Sequence, residues 1–314
     1  MNISFALLVP CYNAENYIDG FLQNLSALNK HFDEVIFYDD ASTDNTYQSI
    51  KEKGYNIVKG GQNRGPGYAR NQLVQISESD WVHFHDIDDG LHPDYLVKTS
   101  AIAKKGVADV VLCNVNWFDA QTNDICLCWE YSNNQINNNP IAYTISHPIG
   151  GINGLYRKAK FKETGGFNTQ LRIWEDADIH VKLAAKRAVF YIVEEVLSYS
   201  VRYAQSASAD QGLGWLTRIN LLWEYYESFH NIPDRKEIGR QAQIAASRLI
   251  MCGQFSAAKN AFQLSELCKV KVPENNSKIW KYLKKTVPAS ARINLRLWQL
   301  KIAFHKKTDE RSKR

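Results

Sequence analysis

An apolar run that ends in three carboxylates, Trp81-Val82-His83-Phe84-His85-Asp86-Ile87-Asp88-Asp89-Gly90, is the feature of this sequence most able to do chemistry. Acids that close together repel unless a cation sits among them. Carboxylate oxygens suit a hard divalent ion such as Mg²⁺ or Mn²⁺, and Mg²⁺ usually holds substrate phosphates as well. Asp86 and Asp88 alternate about Ile87, so an extended backbone sends both to one side, with the turn beginning at Asp89-Gly90. A solvated acidic turn is the alternative; the apolar residues running straight into the acids favour the metal. A second acidic group, Glu175, Asp176 and Asp178, opens a helical stretch after Trp174. Acids there suit the positive end of the helix dipole, so capping accounts for at least one of them.

The elements that must position these acids alternate in type. Apolar runs at 3–10, 34–38, 55–58, 81–85 and 109–115 predict strands. Between them, Tyr17, Phe21, Leu25 and Leu28 share a helical stripe, Ser42-Thr43-Asp44 offers N-caps, and Pro66 and Pro93 each suit a first helical turn. This spacing argues for βαβ units in a parallel sheet, where ligands bind beyond the carboxyl ends of the strands. From 116 to 148 the pattern weakens, and the amide-rich Asn133–Asn139 predicts a surface loop at the acceptor side. After residue 211 strand signals stop; Trp215, Ile219, Leu222 and Tyr226, then Ile238, Ala242, Ala245 and Leu249, follow helical stripes. The expected division is an α/β domain over 1–210 and a helical region over 211–314.

With 45% apolar and 12% aromatic residues in 314, the chain can bury a sizeable core. The net charge of +5 conceals a split: residues 278–314 carry 12 Lys and Arg against 2 acids, leaving a mildly acidic body of 26 bases and 31 acids. Six scattered cysteines lack the spacing of a zinc or redox site and read as reduced thiols. No apolar run approaches the roughly 18 residues of a membrane span, and the short start 3–9 reads as a strand, so the expected location is cytoplasmic. In the tail, Ile293, Leu297, Leu300 and Phe304 form a stripe flanked by Arg292, Arg296, Lys301, Lys306 and Lys307. Such a helix over 288–314 can lie on an anionic membrane surface at the inner face of the cell membrane. Packing on its own domain, or on a second copy in a homodimer, is the competing expectation. No nucleic-acid partner is expected, because no reader motif accompanies the charge.

Taken in order, Val9-Pro-Cys-Tyr-Asn13, Asp39-Asp-Ala-Ser-Thr-Asp44, Asn63-Arg-Gly-Pro-Gly-Tyr-Ala-Arg-Asn71, Asp86-Ile-Asp-Asp89 and Gly166-Phe167 with Glu175-Asp176 resemble the signature of family 2 inverting glycosyltransferases. The likeness covers roughly the first 205 residues. It implies a GT-A fold, a Rossmann-like and mostly parallel sheet flanked by helices, followed here by an α-helical C-terminal region. It also implies sugar transfer from a nucleotide-diphosphate donor, a UDP-sugar first, to a glycan or lipid-linked acceptor in surface polysaccharide or glycoconjugate synthesis, with Mn²⁺ or Mg²⁺ as cofactor.

Each motif then has an implied role. Pro10 and Tyr12 end the first strand at the nucleotide, and Asp40 accepts from the base. Arg70 faces the nucleotide or its phosphates. Asp88 reaches the metal, and Asp86 is directed toward the sugar or ribose and shares the metal site. Ile87 and Glu175 line the donor, and Asp176 is the general base. Many relatives carry a histidine after an arginine near the end of such a domain; Arg202-Tyr203-Ala204-Gln205-Ser206-Ala207-Ser208 has none. His85 and His180 are better read as packing histidines. Rival readings are a nucleotide-sugar-binding scaffold with little catalysis, a nucleotidyltransferase on a related sheet, and an aspartyl phosphatase, whose acids would instead follow the first strand.

Overall fold

The computed structural model describes residues 3–202, 210–274 and 277–311, with the side chains of the last helix followed to residue 303. Contacts divide the chain into two compact units, Met1–Ser206 and Ala207–Arg314. The stretch 203–208, where many relatives carry a histidine, falls outside the described residues.

The first unit is built on nine strands: β1 (Phe5–Cys11), β2 (Glu34–Asp39), β3 (Asn56–Lys59), β4 (Trp81–Phe84), β5 (Gly90–Leu91), β6 (Val110–Asp119), β7 (Ile125–Trp129), β8 (Gly154–Arg157) and β9 (Phe190–Arg202). Its helices are α1 (Ile18–Ser26), α2 (Thr46–Glu52), α3 (Pro66–Ile76), α4 (Tyr95–Lys104), α5 (Asn133–Asn138), α6 (Pro140–Ser146), α7 (Lys158–Lys162) and α8 (Glu175–Ala185). The sheet runs β3-β2-β1-β4-β8-β6-β9-β5, and β7 pairs with β6 off that path. The βαβ half, β3-β2-β1-β4, is parallel; β8, β5 and β7 add antiparallel pairs, so the sheet is mixed. β1 is apolar throughout because both its faces are covered: Phe5, Leu7 and Val9 enter one core cluster, Ala6 and Leu8 the other. Burying a side chain of that size contributes roughly 1.5–3 kcal/mol, which pins the register Leu8↔Phe84. That register places residues 85–89 at the carboxyl edge of the sheet.

Two expectations for this unit need correction. The segment 116–148 is not a loop. β6 continues to Asp119, β7 returns along it, and α5 and α6 follow. The amides are consumed locally: Asn133 donates to the Ile192 carbonyl at 2.6 Å and accepts from the Ile192 N–H at 2.7 Å, and Asn139 caps α6 through the Ala142 N–H at 3.2 Å. Buried Ile136 anchors α5. Nor do Asp86 and Asp88 alternate on a strand. β4 stops at Phe84, and the Asp89 N–H closes a turn on the Asp86 carbonyl at 3.1 Å, so the reversal begins two residues before the expected point.

The second unit is helical: α9 (Gln211–Ser228), α10 (Ile232–Met251), α11 (Phe255–Leu267), α12 (Lys278–Thr286) and α13 (Ala289–Arg311). Ile238, Ala242, Ala245 and Leu249 of α10 are fully buried, as are Ala258 and Phe262 of α11. Of the two expectations for the tail stripe, packing on its own unit is the one seen for Ile293 and Leu297. Ile293 and Leu297 are buried, and α13 packs on α10 and α11, so that face is not free for a membrane. Arg292 fastens it, donating to Glu266 and to the Val287 carbonyl at 2.6 Å each. The opposite face of α13 exposes Leu295, Trp298 and Ile302.

Candidate active site

Arg70 joins the two acidic groups. Its N-terminal neighbours Gly65 and Pro66 start α3, and the guanidinium is 4% exposed. Nη2 donates to Asp86 at 2.7 Å and Nη1 to Glu175 at 2.8 Å, while the guanidinium lies 5.5 Å from the centre of the Phe167 ring. Arg70, expected at the nucleotide or its phosphates, thus spans the two acidic groups, and its Nε is buried without a partner. One buried cation serving several acids stays charged, and Asp86 and Glu175 hold its pKa above the ordinary arginine value.

The loop 85–89 carries more acid than Arg70 can balance. Burial, and then the neighbouring Asp86, push the Asp88 carboxyl up to about 6. Burial raises Asp89 further, with Asp86 and Asp88 adding to it. Asp89 is tied to β9, accepting from the Ser200 hydroxyl at 2.9 Å and the Val201 N–H at 3.1 Å. Its role, open in the sequence, is to brace the loop. Ile87, expected at the donor, is 7% exposed and its side chain belongs to the core.

Across from this loop, Trp174 adopts φ 72°, ψ 3° immediately before α8. A left-handed backbone costs a bulky residue roughly 1–2 kcal/mol, and strain of this kind gathers where orientation matters. It launches Glu175 and Asp176 at the helix start. Burial raises the Glu175 carboxyl to about 7, with Asp176 adding and Arg70 opposing. Burial likewise raises Asp176, against the pull of Arg70 and of the Ala177 N–H that its carboxylate accepts at 2.7 Å. His180 is a packing histidine: Nδ1 meets the Asp176 carbonyl at 2.6 Å and Nε2 the Tyr156 hydroxyl at 2.8 Å. His85 is fully buried beside His83, at 3.3 Å, with its Nε2 unpartnered.

Gly166 and Asn71 hold α3 to the approach to α8. Asn71 donates to the Phe167 carbonyl and accepts its N–H, each at 2.9 Å. Gly166 has φ +84°, and a Cβ there would stand 2.5 Å from Asn71 Oδ1, so this glycine is required by conformation and by space. Asp40 is 3% exposed; it accepts from the Arg64 N–H at 3.0 Å and the Gly65 N–H at 2.6 Å, and so fixes the loop ahead of α3. Pro10 lies in β1 opposite Tyr38, and Tyr12 beyond it is 50% exposed.

The sequence reading missed the floor between the acidic groups. A Cβ on Gly151 would lie 3.6 Å from Arg70 Cζ, and one on Gly150 would lie 3.8 Å from Asp176 Oδ2, 3.1 Å from Trp129 Cζ3 and 2.9 Å from Asn153 Oδ1. The paired glycines were visible as a signal; Trp129 was hidden in the segment taken for a loop.

The family description "Glycosyl transferase family 2" matches residues 6–165, about half of the chain. The chain belongs to glycosyl transferase family 2. An uncharacterized glycosyltransferase of Haemophilus influenzae is 25% identical over 214 residues, covering 65% of this chain and 70% of that protein. The poly(ribitol-phosphate) beta-N-acetylglucosaminyltransferase TarS of Staphylococcus aureus is 32% identical over 117 residues, 35% of this chain and only 20% of TarS. Among solved structures, S. aureus TarS 1-349 in complex with UDP-GlcNAc superposes with a TM-score of 0.69 at 19% identity, covering 97% of this chain and 92% of that one. The mannosyltransferase PcManGT of Pyrobaculum calidifontis, in complex with GDP-Man and Mn²⁺, gives 0.61 at 15% identity, covering 95% and 88%. The fold is thus GT-A, and the enzyme is a glycosyltransferase; the phosphatase and nucleotidyltransferase readings fall away.

Proposed function

We propose that this family 2 enzyme transfers a sugar with inversion from a nucleoside-diphosphate donor, UDP-sugars being the first class to test, to a glycan or lipid-linked acceptor. The observation that carries the reading is the Arg70 bridge, which holds the Asp86–Asp88 loop and the Glu175–Asp176 helix start around one glycine floor. Asp176 is the general base. Burial raises its carboxyl above the ordinary value, the direction that makes a carboxylate a stronger base. It takes the proton of the acceptor hydroxyl while that oxygen bonds to the anomeric carbon from the face opposite the leaving group. The anomeric C–O bond breaks, and its electron pair leaves with the nucleoside diphosphate.

Asp88 with Asp86 would hold Mn²⁺ or Mg²⁺. The fit rests on the donor set: Asp88 is partly buried beside Asp86 with no ion pair among the described residues, while Arg70 takes one oxygen of Asp86 and Asp89 is used by β9. Among the described residues no group of three or more His, Cys, Asp or Glu is placed to hold an ion. Few protein ligands is the pattern for an ion that shares substrate phosphates. When bound, the ion would offset charge on the departing diphosphate. Asp40 keeps lone pairs beyond those used by the Arg64 and Gly65 N–H groups, enough for one base N–H. Pro10 and Tyr12 complete the nucleotide side.

Thermal-shift titration with UDP-GlcNAc, other UDP-sugars and GDP-Man, with and without Mn²⁺, tests the donor. Asp88→Ala should abolish the metal-dependent shift, and Asp176→Asn should keep it while losing transfer. Full transfer in both variants would sink the assignment. No helix among the described residues is long and apolar enough to cross a membrane. Contact with an anionic membrane would fall to exposed Leu295, Trp298 and Ile302 of α13, beside the basic α12. Trp298→Ser should then lower flotation with phosphatidylglycerol vesicles, and unchanged flotation removes that contact.

A further inference from the structure

We propose that Trp129, backed by Trp117, is the platform on which the acceptor stacks, and that this subsite takes an uncharged saccharide rather than a phosphate-bearing chain. The inference rests on Asp176 as the base, since it places the acceptor beside that carboxylate.

Trp129 Cζ3 and Asp176 Oδ2 both lie within 4 Å of the point where a Cβ on Gly150 would stand. Gly150 has an ordinary extended backbone, so glycine is needed there for close approach and not for conformation. The antiparallel register Trp117↔Leu127 and Val115↔Trp129 sets these side chains on one face of the β6–β7 hairpin. The two indoles pack edge to face at 5.0 Å and 61°, which fixes the Trp129 ring. Both rings are partly exposed, and Leu127 beyond them is 39% exposed, so the face continues outward from the base. Asn153 is fully buried beside the same glycine, and its Oδ1 has no hydrogen-bond partner. An unmet acceptor of that kind costs roughly 1–3 kcal/mol, and a hydroxyl reaching the Gly150 floor would relieve it. A pyranose offers what this surface lacks: an apolar face for the indole and hydroxyls at its rim.

Charge decides between acceptor classes. From Gly106 to Tyr156, the segment that contains β6, β7 and the glycine floor, the sequence has no Lys or Arg; Asp109 is paired with Arg157 at the start of β6, which leaves Asp119, Asp124 and Glu130 on the hairpin, with Arg202 opposite Asp119 in β9. Phosphate recognition calls for guanidinium or ammonium partners, and Arg70 is already committed to Asp86 and Glu175. A phosphate-bearing chain laid over Trp129 would meet like charge.

The test is calorimetric titration of the full chain, with UDP and Mn²⁺ present, against neutral gluco-, galacto- and N-acetylglucosamine di- and trisaccharides and against a ribitol-phosphate oligomer. At least one neutral saccharide should bind; Trp129→Ala should weaken it by at least about tenfold, as truncating a stacking anchor does, and Trp129→Phe by much less. Gly150→Ala should weaken it too, with the nucleotide-sugar thermal shift retained in all three. Neutral-saccharide binding indifferent to Trp129→Ala, or binding of the ribitol-phosphate oligomer alone, overturns the proposal. Binding needs no base, so Asp176→Asn should still bind saccharide. If that variant also transferred sugar, the base assignment would fall while Trp129-dependent binding kept the platform.

Discussion

The two acidic groups of the first unit are both made of carboxylates and are paired to different extents. At the start of α8 the compensation is built in: Arg70 pairs with Glu175, Lys182 with Asp178 at 2.7 Å, and the helix N-terminus and the Ala177 N–H face Asp176. In the loop 86–89 it is incomplete. Arg70 reaches Asp86, β9 takes Asp89, and Asp88 is left with its carboxyl pushed up to about 6. Burial still lifts Glu175 to about 7 and raises Asp176, so the pairing at α8 is fuller than in the loop without being complete. Arg70 makes the two groups one site.

Removing the bridge should have the largest effect. Arg70→Met leaves Asp86 and Glu175 without their buried partner and should cost about 3–5 kcal/mol in urea unfolding; a loss below 1 kcal/mol would show the two groups to be independent. At the start of α8, Asp176→Asn should lower transfer about 10²–10⁴-fold without loss of the donor-induced thermal shift. A variant within threefold of wild type would return Asp176 to a capping role.

The packing beneath Asp176 can be read by pH. Burial pushes His180 down to about 4, whereas in the unfolded chain a histidine titrates near 6.5. Between those values the unfolded chain binds the extra proton, so stability is complete above about 6.5 and falls as pH drops toward 4, by at most about 3 kcal/mol from this residue. His180→Gln should flatten that part of the profile relative to wild type. Equal slopes would mean that His180 is already protonated in the fold. The smallest effect is expected at the brace: in Asp89→Asn one amide oxygen can still accept from both Ser200 and Val201, as Oδ1 does now, so the cost should be about 1 kcal/mol or less while metal-dependent donor binding persists. Loss of that binding would move Asp89 from brace to ligand.

Much of this arrangement was legible in the chain itself. Alternating apolar runs and caps specify the βαβ half because hydrophobic period and turn chemistry are local. Family motifs mark Asp86, Asp88, Glu175 and Asp176 because their residue types survive in linear order. Residues 116–148 were misread because what orders them is remote: Asn133 is satisfied by β9, and Ile136 by a core that no window of sequence contains. The tail stripe at Ile293 and Leu297 was correctly seen as helical, yet a stripe does not say whether it meets lipid or α10 and α11.

The sequence by itself determined the strands and helices of the βαβ half, the helical character of the second unit and the acids, since these follow from periodicity and residue type within a few turns of chain. Only the tertiary structure decided that Arg70 spans Asp86 and Glu175, that Asp89 is tied to β9, and that Trp129 and Asp176 both approach Gly150. Each of these depends on which carboxylate or ring lies within a few ångströms after folding, and partners brought together from 16, 105 and 111 residues away leave no local trace.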